Sequence, residues 1–355
     1  MNRTKCALSV VAFLAVNVAV TRADSNGFAY FAVGNSLTQN SDFRVVDDIA
    51  TLNGINVNTT TTGNNIRAGQ GLDNLWRVHT GITGTPYTTA LSNAYNAVTL
   101  EPYLGPGLVK PQTNPSIPDQ GDTGDINRAI DFMNYSTGAM NAIPPVVTPS
   151  GNAANVNAQF YIFARWTEQN AWDTAATPIT YDAAWNKPYD PLDTSFFSTE
   201  TASYFNSLIP AIRLAQPSNM KPIELIPTGF VLDAIDKQLR SEPEMSDDVG
   251  VDPINRLDTF FYGGDELHAT APYGELIATL TFYATLFHTS PVGVALPPGD
   301  FTNLILSNAQ TQFRINEFEN IIWDTVQNTP FTGVPEPTSL AIVGIAGLFV
   351  MRHRR

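Results

Sequence analysis

The sequence predicts an α/β fold: a three-layer sandwich in which a parallel five-stranded sheet carries helices on both faces. Three observations carry this expectation. Short apolar runs rich in Val, Ile, Phe and Tyr recur along the chain, as in strands covered on both sides. Segments with helical apolar periodicity lie between them. Alternating strands and helices imply parallel pairing through crossovers, which places helices on the two faces.

The strands are expected at 27–33, 55–61, 97–100, 158–164 and 222–227. The first helix, 43–53, sets Val45, Val46, Ile49, Ala50 and Leu52 near one face. A short helix follows at 72–79. Another, 125–140, opens on Asp125, and 198–215 opens on Ser198, a good cap residue. A helix at 230–239 comes after Gly229. The last third is helical: 272–288 is apolar enough to be mostly buried, and 308–327 is a more amphipathic closing helix. The order is that of a flavodoxin-like sheet.

Two stretches resist regular assignment. Residues 104–124 hold four prolines and four glycines and read as a loop. Residues 167–197 carry Trp172, Tyr181, Trp185, Tyr189, Phe196 and Phe197, too aromatic for disorder. This insertion is either a lid or sugar-stacking rim, or a loop that covers core.

The ends carry their own signals. Residues 1–23 place Arg3 and Lys5 before an apolar run and a small residue, the pattern of a secretory signal peptide. Cys6, the only cysteine, lies inside it, so the expected mature chain has no thiol, disulfide or cysteine metal site. At the other end, Pro335-Glu336-Pro337 precedes an apolar run from Leu340 to Met351 and the basic cluster Arg352, His353, Arg354 and Arg355. The run is short for a span of about 20 residues. Those three elements in that order resemble the PEP-CTERM sorting signal of Gram-negative bacteria. The resemblance implies export to the cell surface or its matrix, transient membrane association, and an exosortase-type partner.

The expected division is therefore a signal peptide at 1–23, one domain at 24–333 with the 167–197 insertion, and a sorting segment at 334–355. The central domain holds 13 Lys and Arg against 32 Asp and Glu, a net charge near −19. Such a surface repels nucleic acid and anionic lipid. The paired acids Asp47-Asp48 and Asp247-Asp248 read as exposed charge. No phosphate loop and no metal-ligand spacing stand out, so no cofactor is expected.

In doubly wound sheets, ligands bind outside the carboxyl ends of the strands. Ser36 sits there, in Gly34-Asn35-Ser36 after the first strand. A serine hydroxyl needs a neighbouring base. His268 lies in Asp265-Glu266-Leu267-His268, before the apolar helix, with Asp265 placed to accept from its ring. His79 and His288 sit near helix C-termini, where a partly cationic ring is favoured, and read as structural. Glu266 reads as solvated.

Gly-Asn-Ser after strand one and Asp-x-x-His before a late helix resemble the first and last blocks of the SGNH (GDSL-like) hydrolases. The resemblance implies Ser36 as nucleophile, His268 as base and Asp265 as its orienter. It implies an oxyanion hole built from the Ser36 N–H and a glycine N–H after strand two, where Gly69 fits better than Gly71. The family's further donor, an Asn after strand three, is replaced here by Glu101. An ionised Glu accepts hydrogen bonds and opposes a developing oxyanion. Asn96, Trp166 and Asn170 are the candidate substitutes, and Asn35 adjoins the same site.

The expected function is hydrolysis of an ester through an acyl-enzyme, on a small ester or on O-acyl groups of an exopolysaccharide. The alternative is a surface protein that keeps the fold and binds polymer without turnover.

Overall fold

A computed structural model describes residues 27–41, 43–77, 83–103, 124–139, 151–173, 178–190, 199–245, 247–301 and 304–335. The expected signal peptide, the tail beyond Pro335, His79, Phe196, Phe197 and most of the Pro/Gly loop lie outside the described residues. Among the described residues, no helix is long and apolar enough to cross a membrane.

The five parallel strands are β1 (Tyr30–Gly34), β2 (Gly63–Ile66), β4 (Ala97–Leu100), β5 (Gln159–Phe163) and β6 (Glu224–Ile226). A two-residue strand, β3 (Thr83–Gly84), extends the β2 edge in antiparallel fashion. The spatial order is β3-β2-β1-β4-β5-β6. Chain direction across the sheet reverses between β1 and β4, so the switch-point crevice opens beyond their carboxyl ends. Gly34 ends β1 and Glu101 follows β4 at that crevice.

Strand β2 departs from the expected 55–61. The β-branched residues there make only one bridge, Val57 to Phe28, before a turn at 59–61. Pairing with β1 runs instead through the polar Gly63, Asn64 and Asn65 to Ile66. Only Asn65 and Ile66 are buried, because this strand lies next to a two-residue edge.

The helices are α1 (Ser36–Asn40), α2 (Phe43–Leu52), α3 (Leu72–Arg77), α4 (Tyr87–Ala90), α5 (Asp125–Ser136), α6 (Tyr181–Trp185), α7 (Ala202–Ala215), α8 (Thr228–Ser241), α9 (Gly274–Phe287) and α10 (Ala309–Asn328). Helices α3, α5 and α7 pack in sequence, while α9 touches α2, α8, α10 and β6. Coverage from that many sides explains the nearly continuous apolar run of α9. Its threonines are satisfied: Thr281 and Thr285 donate to carbonyls one turn back, and Thr279 Oγ1 donates to Ser41 O at 3.0 Å. Helix α7 starts after Thr201, whose hydroxyl accepts from Tyr204 N at 3.2 Å, so Thr201 rather than Ser198 is the cap.

One open alternative is decided and two other expectations are corrected. Trp172, Tyr181 and Trp185 of the aromatic insertion are fully buried, with Tyr181 stacked on Trp185. They cover core and form no stacking rim. Asp47 and Asp248 are buried, not surface charge. Burial pushes Asp47 up to about 6, while Asp248 lies 2.9 Å from Arg256 Nε. His288 caps α9 in the left-handed region at φ 50, but burial, aided by Lys221, holds its pKa down and opposes a cationic ring.

Candidate active site

The path from β1 into α1 fixes Ser36. Gly34 must lack a side chain, because a Cβ there would collide with the Thr38 hydroxyl and meet the Glu101 carboxylate. Asn35 caps α1: its Oδ1 accepts from Leu37 N at 2.8 Å, and its Nδ2 donates to Gln70 O at 3.4 Å. Thr38 N donates to Glu101 Oε2 at 3.2 Å and Gln39 N to Asn35 O at 3.2 Å. The Ser36 N–H has no acceptor among the described residues. Helix starts leave such donors over, and Ser36 itself lines a cavity.

His268 sits on a loop tied at its base. Ala271 N donates to Phe261 O at 3.0 Å, and Tyr273 N to Phe260 O at 3.1 Å. A π-type turn over Asp258–Tyr262 leads into it, and Gly263 leaves the turn in the left-handed region at φ 62. Residues after β5 hold the loop from the side. Trp166 Nε1 donates to Leu267 O at 2.7 Å, Gln169 N to Glu266 O at 2.8 Å, and Asn170 Nδ2 to Glu266 Oε2 at 2.6 Å. The Tyr262 hydroxyl donates to Thr167 O.

These two constructions bring the three sequence-selected residues into line. His268 Nε2 lies 3.0 Å from Ser36 Oγ, across 232 positions of sequence. Nδ1 of the same ring lies 3.1 Å from Asp265 Oδ1 and 3.2 Å from Oδ2. Asp265 Oδ1 also accepts from Leu267 N at 3.0 Å and His268 N at 2.8 Å. Partial burial raises the Asp265 pKa, but those backbone bonds and the imidazole outweigh it, and the net shift is downward. A carboxylate on one ring nitrogen and a hydroxyl on the other is the relay that activates a serine.

The residues selected for the oxyanion hole divide. Gly69, at φ 68 in the turn after β2, lies one residue from Gln70, the acceptor of Asn35 Nδ2, and so stays near the Ser36 turn. Glu101 does not face a reacting group. It is fully buried, with Oε2 accepting from Asn35 N at 2.9 Å, from Thr38 N and from the Thr38 hydroxyl. Trp166 is fully buried with its N–H committed to Leu267, and Asn35 is buried with both side-chain polar atoms committed. Asn96 Oδ1 accepts from Ala29 N at 2.8 Å, before β1 begins and away from the crevice. Asn170 is committed to Glu266, which is exposed. Asn35 Nδ2 and Asn170 Nδ2 each keep a second N–H, but neither residue is among those lining the cavity beside Ser36.

A cavity of about 590 Å³ opens beside the serine, lined among others by Gln39, Asn40, Thr270, Glu275 and Phe301. None of these residues belongs to either sequence motif. Gln39 and Asn40 stand three and four residues from Ser36 on a helix, so they share its face, which sequence could have shown. Phe301 follows a Pro/Gly stretch and carried no signal. Among the described residues, no cluster of acids and histidines could hold a metal.

No family model matches the chain, and no curated protein matches it. Among solved structures, a DUF4886 family protein from Bacteroides uniformis superposes with a TM-score of 0.50 at 12% identity, covering 88% of this chain and 98% of that one. A proposed SGNH hydrolase from Slackia heliotrinireducens gives a TM-score of 0.38 at 16% identity, over 73% of this chain and 98% of its own. The likeness to the first is one of fold.

Proposed function

We propose that this chain is a serine hydrolase of the SGNH type that cleaves an ester through an acyl-enzyme. The observation that carries the reading is the 3.0 Å contact between Ser36 Oγ and His268 Nε2, with Asp265 on the far side of the ring. Ser36 Oγ attacks the acyl carbonyl as its proton passes to His268 Nε2. The imidazolium is stabilised by Asp265. The oxyanion is held by the Ser36 N–H and the Gly69 N–H. Collapse expels the alcohol, which takes the proton from His268. Water then enters and attacks the acyl carbonyl as His268 takes its proton; collapse returns that proton to Ser36 Oγ and releases the acid.

The bonds from Asn35 N and Thr38 N engage the Glu101 carboxyl away from a developing oxyanion, which supports turnover with the two backbone donors alone. The signal-like and PEP-CTERM-like ends support action outside the cell, on a small ester or on O-acyl groups of an exopolysaccharide, with an exosortase-type partner during export.

A fluorophosphonate probe tests the reading directly. Wild type is expected to be labelled and to hydrolyse p-nitrophenyl acetate, and Ser36→Ala to do neither. A wild-type protein that resists the probe, or a Ser36→Ala variant labelled as fast, ends the proposal.

A further inference from the structure

Glu101 has no place among groups facing a substrate, yet it accepts three hydrogen bonds from the residues on either side of the serine. One oxygen, Oε2, takes Asn35 N at 2.9 Å, Thr38 N at 3.2 Å and the Thr38 hydroxyl. These donors flank Ser36 on both sides, one residue before it and two after. Among the described residues the other oxygen, Oε1, is buried without a hydrogen-bond partner, and the Arg165 guanidinium acts on the carboxyl only through its charge. The far end of α1 is held separately, by Thr279 Oγ1 on Ser41 O at 3.0 Å. The five-residue helix is thus fixed from β4 at its start and from α9 at its end.

We propose that Glu101 is a positioning residue for Ser36: its Oε2 fixes the turn of chain that aims the hydroxyl at His268. The inference rests on the hydrolase reading for its kinetic consequence, but its geometric claim stands apart from activity. What the arrangement uses is an acceptor oxygen at one point, since the second oxygen has no hydrogen-bond partner among the described residues. Full burial also pushes the Glu101 pKa up, against the charged form. A glutamine can supply the same acceptor in the same place. A shortened or truncated side chain cannot.

The test compares wild type with Glu101→Gln, Glu101→Asp and Glu101→Ala. Two readouts are taken: steady-state hydrolysis of p-nitrophenyl acetate, and the imidazole ¹⁵N signals of His268, with Ser36→Ala as reference. Glu101→Gln is expected within about threefold of wild-type kcat. Glu101→Ala and Glu101→Asp are expected to lose about 10²-fold in kcat with KM little changed, the scale of a misplacement near 1 Å. Their His268 signals should move to those of Ser36→Ala, while those of Glu101→Gln stay with wild type. Should Glu101→Ala fail to fold, Glu101→Asp decides, since it keeps the carboxyl and most of the volume. A folded Glu101→Asp with wild-type kcat and wild-type His268 signals overturns the proposal. So does a Glu101→Gln variant as impaired as the truncation, which would give the role to charge and not to position. The His268 signals decide the claim even if the wild type proves inactive, an outcome that removes the hydrolase reading alone.

Discussion

Asp265 accepts from two backbone N–H groups as well as from the His268 ring, so its carboxylate is already fixed when it orients the imidazole. Asp265→Asn puts an NH₂ group where acceptors are needed, and the ring loses its tautomer. The expected result is a fall in kcat on the order of 10²–10⁴ with KM little altered, read in ester hydrolysis. The pH sign follows from the lowered pKa. The stability that ionised Asp265 contributes is present above its ordinary value of 3.8 and lost as pH falls through the lower folded value. Ser36, Asp265 and His268 were legible because each lies in a short local motif. Glu101 and Trp166 were legible as residues at the strand ends, but not in direction. Which way a side chain swings past a strand end depends on which donors wait beneath it. The Asn35 and Thr38 amides turn Glu101 inward, and Leu267 O takes the Trp166 N–H. Neither donor nor acceptor is near its partner in sequence.

The stretch after β5 is the element on which the histidine loop leans, through Trp166, Thr167, Gln169 and Asn170. Trp166→Phe keeps an aromatic ring but leaves Leu267 O without its donor. Denaturant unfolding should show a loss of about 1 kcal/mol, the scale of a lost hydrogen bond at a half-buried carbonyl, and kcat should fall alongside it. Thr279→Val, which removes the hydroxyl on Ser41 O, tests the opposite end of α1 in the same way. A cost of about 1 kcal/mol is expected, with a measurable drop in ester turnover. At this scale β1, β4, β5 and β6 were readable from apolar runs, since each is covered on both faces. Strand β2 was not. Next to a two-residue edge, its register is held by pairing with β1 and hardly by burial, so a polar Gly-Asn-Asn run could take the place that the β-branched 55–61 suggested.

Across the whole molecule, a chain so rich in acids has buried several of them. Asp125, fully buried at the start of α5 with the Tyr204 hydroxyl on its Oδ2, is pushed up to about 7, chiefly by burial. Glu168 and Glu224 are likewise raised to about 7. A raised folded pKa contributes stability in full below the unfolded value and loses it as pH rises through the folded one. Melting temperature is therefore expected to climb as pH is lowered from 8 towards 5. Asp125→Asn keeps the acceptor for Tyr204 and removes one titrating group. It should flatten the dependence by about 1.4 kcal/mol per pH unit in the window between 3.8 and 7. A slope unchanged in that variant would place the titration elsewhere.

The serine and its imidazole stand 232 positions apart, one leaving the opening strand and the other just ahead of α9. Contacts of such long range form late and slowly. A nascent chain still short of its final third therefore carries a hydroxyl with no base beside it. On the proposed reading, a chain that ends before the histidine loop is expected to be inert towards an acyl substrate.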